Sequence, residues 1–315
     1  MKALADLLQD ATAGDPISGL KWTHKTCEKL SQQLGRKGFQ VGRMTVRRLL
    51  AEQGYALRVN RKRLSKKQNP DRDRQMRYIA RKRRASLKAG FPVISVDTKK
   101  KELVGNFRNA GRSWRRQALD VLETDFRSSA IGKAIPYGIY DIGRNAGFVV
   151  VGTSHETAAF AVAAIRAWWK QVGRVHYVDH RHLLILADGG GANSSRCWLW
   201  KVALQALADE FQLTITVTHF PPGASKWNPI EHHMFNVISQ NWAGQPLVSY
   251  ETVLKFIRTA KTQNEFHCRA RLNRTQYKTG LKITPKEKAH INLKPHRVFS
   301  NWNYTIAPHD ATNKK

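Results

Sequence analysis

The sequence predicts two kinds of structure in tandem: a small all-α helix-turn-helix region with a candidate wing, then an α/β mixed sheet with flanking helices. Three observations predict it. Apolar residues recur at helical spacing over residues 27–53 with a glycine-containing break between two short runs. After Gly90-Phe91-Pro92, short aliphatic runs alternate with helical patterns. One of those runs, Leu183-Leu-Ile-Leu-Ala-Asp188, is followed by three glycines, the texture of a strand buried on both faces in the middle of a sheet. With 315 residues, 41% of them hydrophobic, the chain can bury one large core or two modest ones.

The charge narrows the class of partner. There are 54 Lys+Arg against 23 Asp+Glu, a net charge of +31, and such a field attracts polyanions at long range. Nucleic acid is the first candidate. A membrane is not expected, because no segment approaches the ~20 apolar residues of a span, and the first ten residues are too short in apolar length for a secretory signal. Cys27, Cys197 and Cys268 are isolated and lack metal-ligand spacing, so a reduced, cytoplasmic and nucleoid-associated protein is expected.

Taken in order, Leu4, Leu7 and Leu8 mark a short helix ended by Gly14 and Pro16. Cys27, Leu30 and Leu34 mark a second helix, stopped at Gly35 and Gly38. A third, Arg43 to Gln53, puts Val46, Leu49 and Leu50 on one face and Arg43, Arg47 and Arg48 on another, as a DNA-reading helix would; an ordinary hairpin with a solvated basic face reads the same way. Tyr55-Ala-Leu-Arg-Val is the candidate wing strand. These residues, 1–57, form the expected DNA-binding region. Residues 58–90 form a basic connector, including Arg61, Lys62 and Arg63, with a helix from about Asp71 to Ala89 carrying Met76, Tyr78, Ile79 and Leu87. Such a connector can track phosphates without reading sequence.

The domain expected over 91–245 opens with the strand Val93-Ile-Ser-Val-Asp97. A long basic insertion containing Lys99, Lys100 and Lys101 follows. Strands are expected at Tyr137–Ile142 and Phe148–Ser154 across a Gly143–Gly147 turn, a helix at Thr157–Val172, and the central strand to Asp188. Then come a helix at Ser195–Phe211, a strand at Leu213–Phe220 and a helix from Asn228 to about Asn241. The order β-β-β-α-β-α-β-α describes a ribonuclease H-like mixed sheet, in which the first and fourth strands are neighbours. Residues 246–315 are read as a helix, Tyr250 to Ala260, and a basic tail anchored by Trp302 and Tyr304, either a strap over the domain or a DNA or subunit contact.

That topology sets Asp97 and Asp188 side by side at strand carboxyl ends, where α/β sheets gather their sites. Two close carboxylates are unfavourable unless a cation joins them; Mg2+ or Mn2+, as two ions ~4 Å apart, would polarise a phosphodiester and activate a water or a 3′-hydroxyl. Read singly, Asp188 could just as well make an Asx turn with its glycines. In Asn228-Pro229-Ile230-Glu231, Asn228 fits an N-cap and Glu231 the third position of a capping box, so spacing alone makes Glu231 a cap. Asp141 is a substitute ligand, and Glu102 and Asp125 are surface charges of the insertion. His219, His232 and His233 are phosphate contacts, water positioners or plain surface; no zinc spacing is present. Lys226, in the loop before Glu231, joins the candidate DNA contacts.

The run His219-Phe-Pro-Pro-Gly-Ala-Ser-Lys-Trp-Asn-Pro-Ile-Glu231 resembles the signature before the third acid of mariner-like and related bacterial insertion-sequence transposases of the DDE type. With Val93-Ile-Ser-Val-Asp97-Thr-Lys-Lys-Lys-Glu-Leu-Val-Gly-Asn106 and Leu186-Ala-Asp-Gly-Gly-Gly-Ala-Asn193, it is more similar to one group, the Azo-type transposases, whose catalytic domain is also called the Rhodopirellula-type DDE domain. The resemblance covers Leu20 to Ile306. It implies that Asp97, Asp188 and Glu231 are the metal-binding triad of a transposase that cuts element ends and joins a 3′-hydroxyl to target DNA, working as a homodimer or larger synaptic assembly. Two departures stand out: the chain begins late, as though an upstream helical segment were missing, and Gly42 stands where a better N-cap such as Ser is usual. A catalytically inactive remnant acting as a DNA-binding protein, and a general ribonuclease H-like nuclease, are the alternatives.

Overall fold

The computed structural model describes residues 2–9, 12–14, 21–23, 25–58, 70–263 and 265–310, and the chain divides into two units, Met1–Leu64 and Ser65–Lys315. In the first, α1 (Lys2–Gln9) is followed by an antiparallel ribbon of β1 (Thr12–Gly14) and β2 (Lys21–Thr23), then by α2 (Cys27–Arg36) and α3 (Arg43–Glu52). The helix therefore ends at Gln9, and Gly14 closes a strand rather than the helix. Thr26 caps α2 by accepting from the Lys29 amide at 3.2 Å. Gly42 precedes α3 and supplies no side-chain cap. Leu4, Leu8, Leu30, Leu34 and Val46 close into a small core, so α1 is held by the two helices that follow it.

The expected wing is not formed in its described part. Gly54 takes φ +80°, the left-handed conformation that ends α3, and the Tyr55 amide donates to the Leu50 carbonyl at 2.9 Å. Tyr55 packs against the small core and 55–58 stays irregular. The segment is used to terminate a helix, which leaves it unable to pair as a strand; Val59 lies outside the described residues.

The second unit begins with α4 (Arg72–Lys88), whose buried residues are Gln75, Tyr78 and Ile79. Next are β3 (Val93–Thr98), β4 (Glu102–Val104), β5 (Gly132–Asp141), β6 (Ala146–Gly152) and α5 (Ala158–Trp168), which runs into a π turn at Trp169–Gly173 and the short α6 (Arg174–His176). Then come β7 (His182–Ala187), α7 (Trp198–Phe211), β8 (Thr214–His219), a π-helical turn at Glu231–Phe235 continued by α8 (Asn236–Asn241), and α9 (Tyr250–Arg258). The chain closes with β9 (His267–Asn273), α10 (Pro285–Ala289), β10 (Leu293–Pro295) and β11 (Asn303–Ile306).

These strands make one mixed sheet in the order β10-β11-β8-β7-β3-β5-β6-β9, with β4 on the side of β5. β3 pairs antiparallel with β5 and parallel with β7, and β7 parallel with β8. The first strand of this sheet thus lies beside the fourth. On one face α5 and α7 cover Ile94, Val96, Tyr137, Ile185 and Val217; on the other, Ile79 of α4 packs with Val93, Leu184 and Leu186, and α8 and α9 cover Tyr140, Val149 and Cys268. Burial on both faces explains why β7 reads as an unbroken aliphatic run. Residues beyond 246 extend this sheet at both edges, through β9 next to β6 and β11 next to β8.

A buried amide ties α4 to the sheet. Gln75, fully buried, donates to the His219 carbonyl at 2.9 Å and to Asn303 Oδ1 at 2.8 Å, and accepts from Asn303 Nδ2 at 2.8 Å. Removing one partner strands the other in a dry site, which costs about 1–3 kcal/mol. Gln75→Ala is expected to lower the thermal midpoint accordingly, and a midpoint equal to that of the parent protein would show the amide pair to be dispensable.

Candidate active site

The parallel register of β3 and β7 aligns Val96 with Ala187, so the next residues along each strand, Asp97 and Asp188, leave the sheet together. Asp97 accepts from the Thr98 amide at 2.7 Å. Asp188 is held by the Gly190 amide and the Asn193 side chain, and Asn193 in turn accepts from the buried Tyr137 hydroxyl at 2.7 Å. Its Oδ1 is buried and has no hydrogen-bond partner. An ionised oxygen left so is costly unless a cation meets it.

The electrostatics follow from that crowding. Burial first, and then the Asp188 charge, push the Asp97 carboxyl up to about 8, with Glu231 and Glu156 adding to it. Asp188 is pushed up to about 6 by burial, then by Glu156 and Glu231. The cause is physical: two crowded, partly buried carboxylates cannot both ionise cheaply, so the pair as a whole holds a proton to higher pH than free carboxyls do.

The third acid is placed by a clamp that spacing did not disclose. Asn228 does not cap its helix. Its side chain is fully buried and turned onto β3, donating to the Val96 carbonyl at 3.3 Å and accepting from Ser95 Oγ, while Ser95 Oγ accepts from the Ile230 amide at 3.1 Å. The capping box expected at Glu231 is therefore absent, and no side chain caps that turn. The helix sits hard on β5: a Cβ on Gly138, the residue paired with Asp97, would stand 2.6 Å from Phe235 and 2.9 Å from Ile230. Glu231 is half-buried; burial raises its carboxyl, and Lys99 and His232 oppose that shift.

His219 supports Asp188 from behind. It is fully buried, its Nδ1 donates to the Asp188 carbonyl at 2.9 Å, and its Nε2 accepts from the Tyr304 hydroxyl at 3.3 Å, which accepts from Trp200 Nε1 at 2.9 Å. Burial holds the imidazole neutral, down to about 4. It is thus an internal brace and not a phosphate contact. His233 stacks on Tyr140 with centroids 5.5 Å apart, and His232 Nε2 bonds the Lys226 carbonyl.

The other expected residues divide. Asp141 is remote from the pair, because antiparallel pairing puts it opposite Ile94 at the far end of β3; it accepts from Tyr177 at 2.9 and 3.0 Å. Lys99 is 9% exposed, ion-paired to Glu102 at 3.7 Å and set over the Trp242 ring at 4.7 Å, so it faces inward where a DNA contact was expected. Lys101 pairs with Glu156 at 2.7 Å. Lys100 and Lys226 are exposed and, with Lys99, Glu231 and His232, line a cleft of about 550 Å³. In the first unit Arg43, Arg47 and Arg48 are exposed, with Arg48 3.7 Å from Glu52. Arg61, Lys62 and Arg63 lie outside the described residues. Glu156 went unrecognised in the sequence; its one signal is its place just before Thr157, the cap of α5.

Among the described residues no three His, Cys, Asp or Glu side chains are gathered tightly enough to hold an ion between them. The donors nevertheless fit a hard divalent cation: two carboxylates raised by mutual crowding and one unsatisfied buried oxygen. Without a cation, Asp97 keeps its proton to a higher pH than the unfolded chain does, so its contribution to stability is lost as pH rises toward about 8. His219 acts in the opposite direction, below its ordinary 6.5, so the window above that isolates Asp97 from it. In chelator, the midpoint of thermal unfolding is expected to fall between pH 6.5 and 8, and Asp97→Asn to flatten that fall. An identical slope in the variant would sink this account.

A family model described as the Rhodopirellula transposase DDE domain matches residues 3–308. Solved structures that match include a Mos1 transposase paired-end complex with left transposon end, at 18% identity and TM-score 0.43 over 81% of this chain and 69% of that one. A pre-cleavage Mos1 transpososome matches at 17% identity and TM-score 0.44, covering 81% and 68%. A mariner Mos1 paired end complex with Mg matches at 16% and 0.42, again covering 81% and 68%. No curated protein matches. Because the family model spans nearly the whole chain, this protein belongs to the Rhodopirellula transposase DDE domain family.

Proposed function

We propose that this chain is the DNA transposase of an insertion sequence, binding element ends and cutting and joining DNA strands through Asp97, Asp188 and Glu231. The observation that carries the reading is the Asp97–Asp188 pair at the ends of adjacent parallel strands, with a buried Asp188 oxygen left unpartnered. The strand pairing is that of a ribonuclease H-like sheet, in which such a pair is the place for phosphoryl transfer.

In this reading Asp97 and Asp188 hold Mg2+ or Mn2+, as one or two ions, and Glu231 completes the set from the helix clamped to Ser95. The ion, when bound, would polarise the scissile phosphodiester and lower the pKa of the attacking water or 3′-hydroxyl. His219 and Asn193 keep the Asp188 end of the strand aimed, and the Ser95–Asn228 clamp keeps Glu231 near it. Lys100 and Lys226 receive backbone phosphates in the cleft. The helices α2 and α3 would act as a helix-turn-helix with Arg43, Arg47 and Arg48 toward DNA. Strand transfer with two ends held together implies a homodimer or larger synaptic assembly acting at the nucleoid.

One rival is a DNA-binding protein that does not cut, a reading favoured by the exposed Arg43, Arg47 and Arg48 of α3. The two separate in one experiment: a duplex carrying the element's own end, incubated with magnesium, manganese or chelator. Metal-dependent nicking is expected in the parent protein and its loss below detection in Asp188→Asn, with DNA affinity unchanged. Cleavage retained in the variant would refute the assignment of the acids, binding without any cut would support the rival, and equal cutting of random duplex would point to a general nuclease.

A further inference from the structure

The sheet ends at β9, whose alternate residues are exposed and basic: His267, Arg269 and Arg271 face outward while Cys268 and Ala270 are buried. The register places them on the α5 side of the sheet, with Arg269 beside Phe148 and Arg271 beside Val150. Two hollows lie there between β9 and α5. One is lined by Arg144, His267 and Arg269 with Trp168 and Val172, and the other, of about 190 Å³, by Arg271 with Arg166, Lys170 and Val150.

Arg269 and Arg271, unlike Arg166 and Lys170, are not answered by acids among the described residues. Arg166 and Lys170 are both spent on Glu210, at 2.8 Å each. Among the described residues no carboxylate lies within ion-pair distance of Arg269, Arg271 or Arg144, and the nearby Asp141 has its oxygens occupied by Tyr177. His176 lies near the same residues: burial first, then Arg144, Arg269 and His267, disfavour its protonation, and Asp141 opposes them. The edge is also closed to another strand at its middle, because the Arg258 guanidinium donates to the Ala270 carbonyl at 3.1 and 2.9 Å.

We propose that this edge of the sheet is a second DNA-backbone track, separate from the acidic cleft and bound to phosphates through Arg269 and Arg271. Ala270 is level with Val149, Gly138 and Asp97, three strand spacings or ~14 Å from the acid pair. The row His267 to Arg271 runs ~13 Å, the rise of about four phosphates along one DNA strand. A duplex is the occupant because its phosphates present a row of negative charge to Arg269 and Arg271, exposed cations that no carboxylate among the described residues answers within ion-pair distance. This rests on the reading of the protein as acting on DNA.

The test is the salt dependence of affinity for a labelled random-sequence duplex, between roughly 50 and 200 mM salt. Each phosphate contact contributes about 0.9 to the slope of log affinity against log salt, so Arg269→Gln/Arg271→Gln is expected to lower the slope by about 2. Arg269→Lys/Arg271→Lys, which keeps the charge, should retain it, as should Lys278→Gln/Lys282→Gln, the same charge change elsewhere on the surface. A slope unchanged in the first variant, or an equal fall in the Lys278/Lys282 control, overturns the track. Failure of the parent protein itself to bind the duplex would instead overturn the DNA-acting reading on which it rests. A thermal midpoint equal to the parent's in all three variants establishes that the comparison is between folded proteins.

Discussion

Two carboxylates held side by side by parallel pairing are the constraint on which this second unit turns. The register of β3 and β7 leaves Asp97 and Asp188 nowhere to go but the same strand-end corner. Their mutual repulsion is only partly relieved by water, because both are partly buried at the end of a sheet covered by helices. The fold therefore carries a local cost that a divalent cation would remove, and the surroundings are built to keep the cost from relaxing the backbone. His219, Asn193 and Tyr137 anchor the Asp188 side; Ser95 and Asn228 anchor the Asp97 side to the helix of Glu231. An acidic pair in a chain of net charge +31 is also surrounded by a field that favours phosphate approach.

Polar groups inside the core act as positional devices. The Trp200–Tyr304–His219 series joins α7, β11 and β8 to the Asp188 carbonyl, so the C-terminal strand helps aim a residue more than a hundred positions earlier. Gln75 and Asn303 do the same for α4. Each of these groups is satisfied, which is what lets a buried polar group specify geometry without leaving an unpaired donor behind. The surface differs: among the described residues some cations, such as Arg166 and Lys170, are paired with acids, while Arg269 and Arg271 are within ion-pair distance of none.

How much was legible depended on whether the signal was local. The central strand to Asp188, α5 and α7 could be read because a strand buried on both faces is aliphatic without alternation and a helix repeats its apolar side chains at 3.6 residues. The adjacency of Asp97 and Asp188 could be read from element order, since short right-handed crossovers restrict which strands can be neighbours. Asn228 could not. Its spacing fits a cap, and only the approach of the helix to β3 offered its amide a better partner in Ser95. Lys99 looked like one of three equivalent lysines, until the turn into β4 buried it against Trp242. Asp141 shared with Asp97 the signature of an acid ending a strand, but antiparallel pairing sends those two ends to opposite sides of the sheet.

The sequence by itself determined which residues would be inside strands and helices, the sign of the surface charge, the two aspartates of the site and the family to which the chain belongs. Those follow from periodicity, composition and motif, which are properties of neighbouring residues. The tertiary structure alone decided that the Glu156 charge bears on Asp97 and Asp188, that Asn228 is turned onto Ser95, that His219 is a neutral brace, and that Arg269 and Arg271 of β9 are exposed at the end of the sheet. Each of those rests on contacts between residues distant in the chain, where burial and pairing geometry, and not residue type, set what a side chain can do.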